Sequence, residues 1–228
     1  MRNPPYTLPR MDDASQRVSR TIWIGIALVL LLVAFAFLLA RLDIRRRATA
    51  ERPDIGQIAN FNLTNQFGQA ITLADLRGKV WVADIIFSRC AGPCPRMTRQ
   101  MASLQAALPT PSSARLVTLT TDPEFDTPEV LNNYAARFNA DSNRWWFLTG
   151  AKKDIAALAV DGLKLTAIEK KPGERVNDDD LFIHSTIFVA VDKLARLRGV
   201  FETDGEGVAW TNVQSEILQT VRTLEREK

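Results

Sequence analysis

The sequence predicts an α/β domain, a mixed sheet flanked by helices and preceded by a β-hairpin, carried behind a single transmembrane helix. Three observations predict it. Thr21 to Ala40 is a charge-free apolar run closed by Arg20 and Arg41. Two nearly continuous apolar runs, Lys79–Phe87 and Arg115–Thr121, are each followed by a helical pattern, as strands buried on both faces of a parallel sheet read. Near the end, Ser185–Val191 and Leu197–Phe201 flank Asp192-Lys193 as a hairpin ahead of a closing amphipathic helix.

Residues 1–20 are polar, hold three prolines and read as a disordered tail. The twenty residues that follow cover about 30 Å as a helix, the thickness of a bilayer's hydrocarbon core. A cleaved signal peptide has a shorter apolar region and a small-residue cleavage site, whereas this run leads into Arg41 and Arg45-Arg46-Arg47, so 21–40 reads as an uncleaved anchor. Residues 41–56 read as a charged linker ending in Pro53 and Gly56, and 57–228 as one domain large enough to need no staples. Its first elements are a hairpin, Ile58–Leu63 and Ala70–Leu73, turning at Gln66-Phe67-Gly68-Gln69.

After the strand Lys79–Phe87, Met97, Met101, Leu104 and Leu108 fall at helical spacing, so a helix starts near Cys94-Pro95, where proline suits the first turn. Asp126-Thr127-Pro128-Glu129 supplies a cap, a proline and an acid to open a second helix through Phe138. Trp145–Leu148 and Lys164–Ile168 read as strands with a helix, Lys152–Val160, between them; 169–181 is a polar loop and Val208–Leu224 the closing helix. A βαβα order followed by a hairpin and a helix is that of a thioredoxin-like sheet.

Charge narrows the function. Residues 1–50 hold eight of the 29 basic and three of the 26 acidic residues, leaving 21 basic and 23 acidic in the rest. The basic character belongs to the membrane flanks, and the domain has no electrostatic footprint for nucleic acid. Arginines are balanced on the two sides of the apolar run, so charge alone leaves its orientation open.

Two cysteines are too few for a disulfide scaffold, and the spacing of Cys90 and Cys94 makes them a site. They lie between a buried strand and the next helix, where open α/β sheets place their chemistry. A helix N-terminus favours thiolate, and Arg89 and Arg96 act in the same sense, so both thiols are expected to deprotonate readily. The alternative is a buried, inert pair, against which Gly92 and Pro93 argue. His184 is the sole histidine, placed between Asp178-Asp179-Asp180 and the strand that opens with Ser185. In a thioredoxin-like sheet that loop faces the cysteine helix. Two thiolates and one imidazole suit copper, as Cu(I) or Cu(II), whereas structural zinc wants four ligands that this chain lacks.

The stretch F-S-R-C-A-G-P-C-P from Phe87, the segment T-D-P-E-F-D-T-P-E-V-L from Thr121, W-F-L-T-G from Trp146 and H-S-T from His184 together resemble the Sco/SenC family, in its order and over most of 58–205. The resemblance implies a thioredoxin-like fold and copper held by Cys90, Cys94 and His184. It also implies a redox-active pair that closes to a disulfide when oxidised, and a role in assembling the dinuclear copper site of cytochrome c oxidase. The partners implied are a copper donor protein and the copper-site subunit of the oxidase. The setting implied is an inner membrane with residues 1–20 cytoplasmic and the domain periplasmic; Asp12 and Asp13 are unlike an acid-poor mitochondrial presequence and favour a bacterium. Ala91 stands where family members often carry proline.

Met97 and Met101 could add sulfur ligands, but they fall on the helix's apolar stripe and read as core. Asp122 is a candidate to orient the site from behind the ligands, or only to cap a turn. Of Trp145 and Trp146 one is expected buried and one exposed, and the three aspartates at 178–180 read as a solvated loop. A thiol–disulfide oxidoreductase without metal delivery is the competing function; against it stand the three-residue spacing and the absence of any proline after Pro172, where such enzymes carry a cis-proline. A peroxidase-like protein, dominated by a single reactive cysteine, is a third and weaker reading.

Overall fold

The computed structural model describes residues 12–49, 54–171, 173 and 182–227. The chain divides at residue 50 into two units. The first contains one helix, α1 (Asp12–Thr49), whose stretch Ile22–Leu39 has a mean hydropathy of 3.0 and is long and apolar enough to cross a membrane. The helix therefore takes in residues 12–20 and 41–49, which the sequence assigned to a tail and a linker. Once Thr21–Ala40 is helical, the polar flanks only propagate it, which costs far less than starting a helix.

The second unit is built on one eight-stranded sheet. Its strands are β1 (Gly56–Gln57), β2 (Asn62–Asn65), β3 (Ala70–Thr72), β4 (Trp81–Ile86), β5 (Arg115–Thr120), β6 (Trp145–Thr149), β9 (Ile187–Val191) and β10 (Arg196–Glu202), in the order β1-β10-β9-β4-β5-β6-β2-β3. β4, β5 and β6 run parallel, with Trp81 opposite Arg115 and Leu116 opposite Trp145, while β9 is antiparallel to β4. This is the predicted mixed, thioredoxin-like arrangement. The first hairpin strand falls at Asn62–Asn65 instead of Ile58–Leu63; Ile58 is instead tied to the far edge by its N–H donating to Ala195 O. A side chain finishes the β2–β6 ladder: Gln66 Nε2 donates to Trp145 O at 3.1 Å, and Gln66 Oε1 accepts the Phe147 N–H at 2.9 Å.

Strand alternation splits the core in two. Val82 and Ile86 face a cluster with Met97, Met101 and Leu104 of α3 (Cys94–Ala107), Leu131 and Tyr134 of α4 (Pro128–Arg137), and Ile217, Val221 and Leu224 of α6 (Trp210–Arg226). Trp81, Ala83 and Ile85 face the other, with Leu73 and Leu76 of α2 (Leu73–Leu76), Ile155 of α5 (Lys152–Ala156) and Leu158. β4 is buried on both faces along its whole length. Of the two tryptophans, Trp145 is buried and Trp146 half-buried under the cations of Lys79 and Arg115.

Two local readings shift. α5 continues as one π-helical turn, Ala157–Gly162, and the strand predicted at Lys164–Ile168 forms only at β7 (Ala167–Glu169), because Leu163 and Leu165 are buried in the core and Lys164 between them turns at φ +60°. β7 pairs antiparallel with β8 (Phe182–His184), a strand the sequence reading left out, as a separate two-stranded ribbon.

Candidate metal centre

β4 ends at Ile86 and α3 begins at Cys94, so both cysteines belong to the turn that joins the central strand to its helix. Pro93 opens α3 and its carbonyl accepts the N–H groups of Arg96 and Met97. Cys94 is 0% exposed and Cys90 8%. No disulfide joins them. Cys90 Sγ accepts the Gly92 N–H at 3.3 Å, Cys94 Sγ accepts the Phe87 N–H at 3.5 Å, and the two thiols hydrogen-bond each other.

These surroundings correct the expectation that both thiols deprotonate readily. Burial pushes the Cys94 thiol far above its ordinary value; the bond to Cys90, the Cys90 charge and the carboxylate of Asp84 add to the rise, and the Phe87 N–H only partly offsets it. The favourable end of α3 is outweighed by the cost of a charge removed from water. Nor are the two arginines devoted to sulfur. Arg89 is bound to Asp122 through Nε at 2.9 Å and Nη2 at 2.8 Å, with its guanidinium 4.5 Å above the Phe125 ring, and Arg96 is paired with Asp204.

The segment 120–126 is a strap under the cysteine turn. Thr121 N–H donates to Ile86 O at 2.8 Å, Asp122 grips Arg89, and Asp126, 0% exposed, accepts Ser88 N–H at 3.1 Å together with the hydroxyls of Ser88 and Thr120. Of the capping segment Asp126-Thr127-Pro128-Glu129, Asp126 is not the residue that caps α4. The cap is Thr127, whose oxygen accepts the Val130 N–H, and Asp126 turns inward. Asp122 thus meets the cysteine turn through Arg89, and its carbonyl also accepts the Phe125 and Asp126 N–H groups. Asp84, also unremarked in the sequence, lies buried in β4 and accepts the Thr118 hydroxyl at 2.6 Å. Met97 and Met101 are both fully buried among Leu104 and the sheet, as a packing role requires.

The backbone of His184 lies in β8, opposite Ala167; its imidazole, like Asp178–Asp180, lies outside the described residues. β8 itself is seated on the site. Phe182, two residues before His184, packs edge-on against Phe87 at the head of the cysteine turn, centroids 5.2 Å apart and planes at 63°. Among the described residues no three His, Cys, Asp or Glu side chains converge into a metal cradle.

Fold and site together define a thioredoxin-like domain with a Cys-x-x-x-Cys turn at the start of its helix. The SCO1/SenC family model matches residues 48–218, and the chain belongs to that family. A SCO1 protein homolog of Bacillus subtilis is 36% identical over 137 residues, 59% of this chain and 68% of that protein. A putative copper-binding protein of Stutzerimonas stutzeri is 26% identical over 75% of this chain and 84% of its own length. Among solved structures, BsSco, described as a member of the Sco family of cytochrome c oxidase assembly proteins with a disulfide switch, superposes with a TM-score of 0.63 at 29% identity, covering 75% of this chain and 95% of that one. Copper-bound ScoI of Bradyrhizobium japonicum shares the fold, with a TM-score of 0.61 at 20% identity over 74% of this chain and 99% of that one.

Proposed function

We propose that this chain is a membrane-anchored copper metallochaperone: it holds copper through Cys90, Cys94 and His184 and delivers it to the copper-site subunit of cytochrome c oxidase. The observation that carries the reading is the Phe182–Phe87 contact, which seats the strand bearing the sole histidine against the head of the cysteine turn. Two sulfurs already in mutual contact and one imidazole form a donor set that fits copper in either oxidation state. The copper named for the relatives from Stutzerimonas and Bradyrhizobium supports the same cargo.

Copper is the cargo, received from a donor protein and passed on by exchange of ligands. Cys90, at the rim, is the sulfur that meets donor and recipient; Cys94 holds the metal from beneath. An anchor in the bacterial inner membrane, with residues 1–20 cytoplasmic, 21–40 spanning and 57–228 periplasmic, places chaperone and oxidase on one bilayer, and shared tethering raises their effective concentration. The apolar span and the name of a Bacillus anthracis SCO1/SenC family lipoprotein, 28% identical with a TM-score of 0.61 over 74% of this chain and 94% of that one, support a membrane setting. The test uses the full chain in detergent. One copper per chain is expected, with loss of binding in His184→Ala; undiminished binding by that variant removes the imidazole from the site.

Thiol–disulfide exchange with the recipient's cysteines is a second reading, favoured by the contact between the two thiols. His184→Ala separates the two: a reductase keeps its dithiol activity in that variant, and a chaperone loses its cargo.

A further inference from the structure

We infer that Asp126 is a positioning residue for the thiol pair: by pinning Ser88 it fixes where the Cys90 end of the turn stands relative to Cys94. Two connections join the turn to the strap beneath it, and they are unequal. The Arg89 side chain is 40% exposed, so its ion pair with Asp122 is screened by water and salt. At the other connection the Asp126 side chain is 0% exposed and Ser88 half-buried. One carboxylate oxygen accepts both the Ser88 N–H and the Thr120 hydroxyl, and the other accepts the Ser88 hydroxyl. Hydrogen bonds to a carboxylate are the stronger kind, and the carboxylate that accepts these is itself out of water.

The base of this connection is itself fixed. Asp126 N–H donates to Asp122 O at 2.8 Å, Thr120 Oγ1 accepts the Asp122 N–H at 3.0 Å, and Thr127 caps α4 at the next residue. A rigid acceptor facing a turn that carries glycine and no secondary structure of its own imposes its position on the turn. Ser88 is two residues from Cys90, while Cys94 is held independently by α3 and by the Phe87 N–H. Releasing Ser88 thus frees one sulfur and leaves the other in place, lowering the effective concentration of Cys90 at Cys94. Disulfide formation, in which two thiols yield one S–S bond and pass two electrons and two protons to an added disulfide oxidant, then becomes less favourable. Copper held between the same sulfurs weakens in parallel; that second consequence rests on the metal-holding reading above, and the first does not.

The experiment measures the equilibrium constant for closing the Cys90–Cys94 disulfide of the full chain in detergent, in dithiothreitol buffers of graded redox state, beside copper affinity and thermal midpoint. Asp126→Ala and Ser88→Ala are expected to lower both constants by about tenfold, the scale on which residues behind a metal's ligands act. Asp126→Asn keeps an oxygen for the Ser88 N–H, and the Ser88 hydroxyl can turn to donate elsewhere or accept, so it is expected to restore both constants to within about twofold. A folded Asp126→Ala or Ser88→Ala whose disulfide constant matches the parent overturns the inference and leaves Asp126 a stabilising residue only. Should Asp126→Ala fail to fold, Ser88→Ala decides. A lowered disulfide constant in a chain that binds no copper upholds the positioning role and sinks the metal-holding reading.

Discussion

Arg89 holds Asp122 with two nitrogens, Nε at 2.9 Å and Nη2 at 2.8 Å, and so bridges the cysteine turn and the loop that follows β5. The bridge is half in water, which limits its strength. Asp122→Asn is expected to lower stability by less than about 1 kcal/mol, and by less still at high salt, because an exposed pair is screened. Thermal midpoints of parent and variant at low and high ionic strength check this; a large, salt-independent loss is the contrary result.

The two thiols should differ in reactivity. A thiol whose pKa is raised stays protonated in the neutral range, and the thiolate is the nucleophile. Cys90 is accordingly expected to react with iodoacetamide at about pH 8 at least tenfold faster than Cys94. Cys90→Ser should render the folded chain nearly inert to the reagent. Peptide mass spectrometry over a time course resolves the two sites, and equal rates contradict the assignment of Cys90 as the entry sulfur.

Asp126 carries a pH signature of its own. Burial raises its pKa above 3.8, with the bonds from Ser88 and Thr120 partly opposing the rise. The folded state therefore binds this proton more tightly than the unfolded state, so the contribution is full below 3.8 and is lost as pH rises through the folded pKa. Asp126→Asn, which cannot ionise, should gain stability relative to the parent between about pH 4 and pH 7. Melting both proteins across that range tests it; a difference that does not change with pH is the adverse outcome.

Met97 and Met101 offer a control on the metal. Both are fully buried in the α3 core, so Met97→Leu and Met101→Leu, which keep volume, should each cost less than about 1.5 kcal/mol and leave copper stoichiometry and affinity unchanged. Weakened copper binding by either, measured by chelator competition, would bring a thioether into the coordination set.

Much of this architecture is legible in the sequence because its signals are local and repeated. The apolar run of β4, the helical spacing of Met97, Met101 and Leu104, and the strand–turn–helix position of Cys90 and Cys94 are each carried by several residues at once. What escaped depends on single side chains meeting across the fold. In Asp126-Thr127-Pro128 two adjacent residues can cap, and only Ser88 and Thr120, distant in the chain or hidden in β5, decide that the aspartate turns inward. The acidity expected of both thiols followed from the helix end; the burial that reverses it for Cys94 comes from packing that no window around position 94 contains. β8 is three residues long beside an acidic stretch, too short for alternation to register, and its ribbon with β7 is fixed by pairing alone.

The amide of Gln66 has a consequence for which changes this fold tolerates. At the border of β2 and β6 a side chain stands in for a peptide unit, giving Trp145 a donor and Phe147 an acceptor. Glutamate at that place keeps the acceptor and strands a carbonyl; leucine keeps the bulk and strands both groups. That rung is thus written in the genetic code of one codon rather than in the backbone every residue shares, and a single missense change can erase it without touching the cysteines.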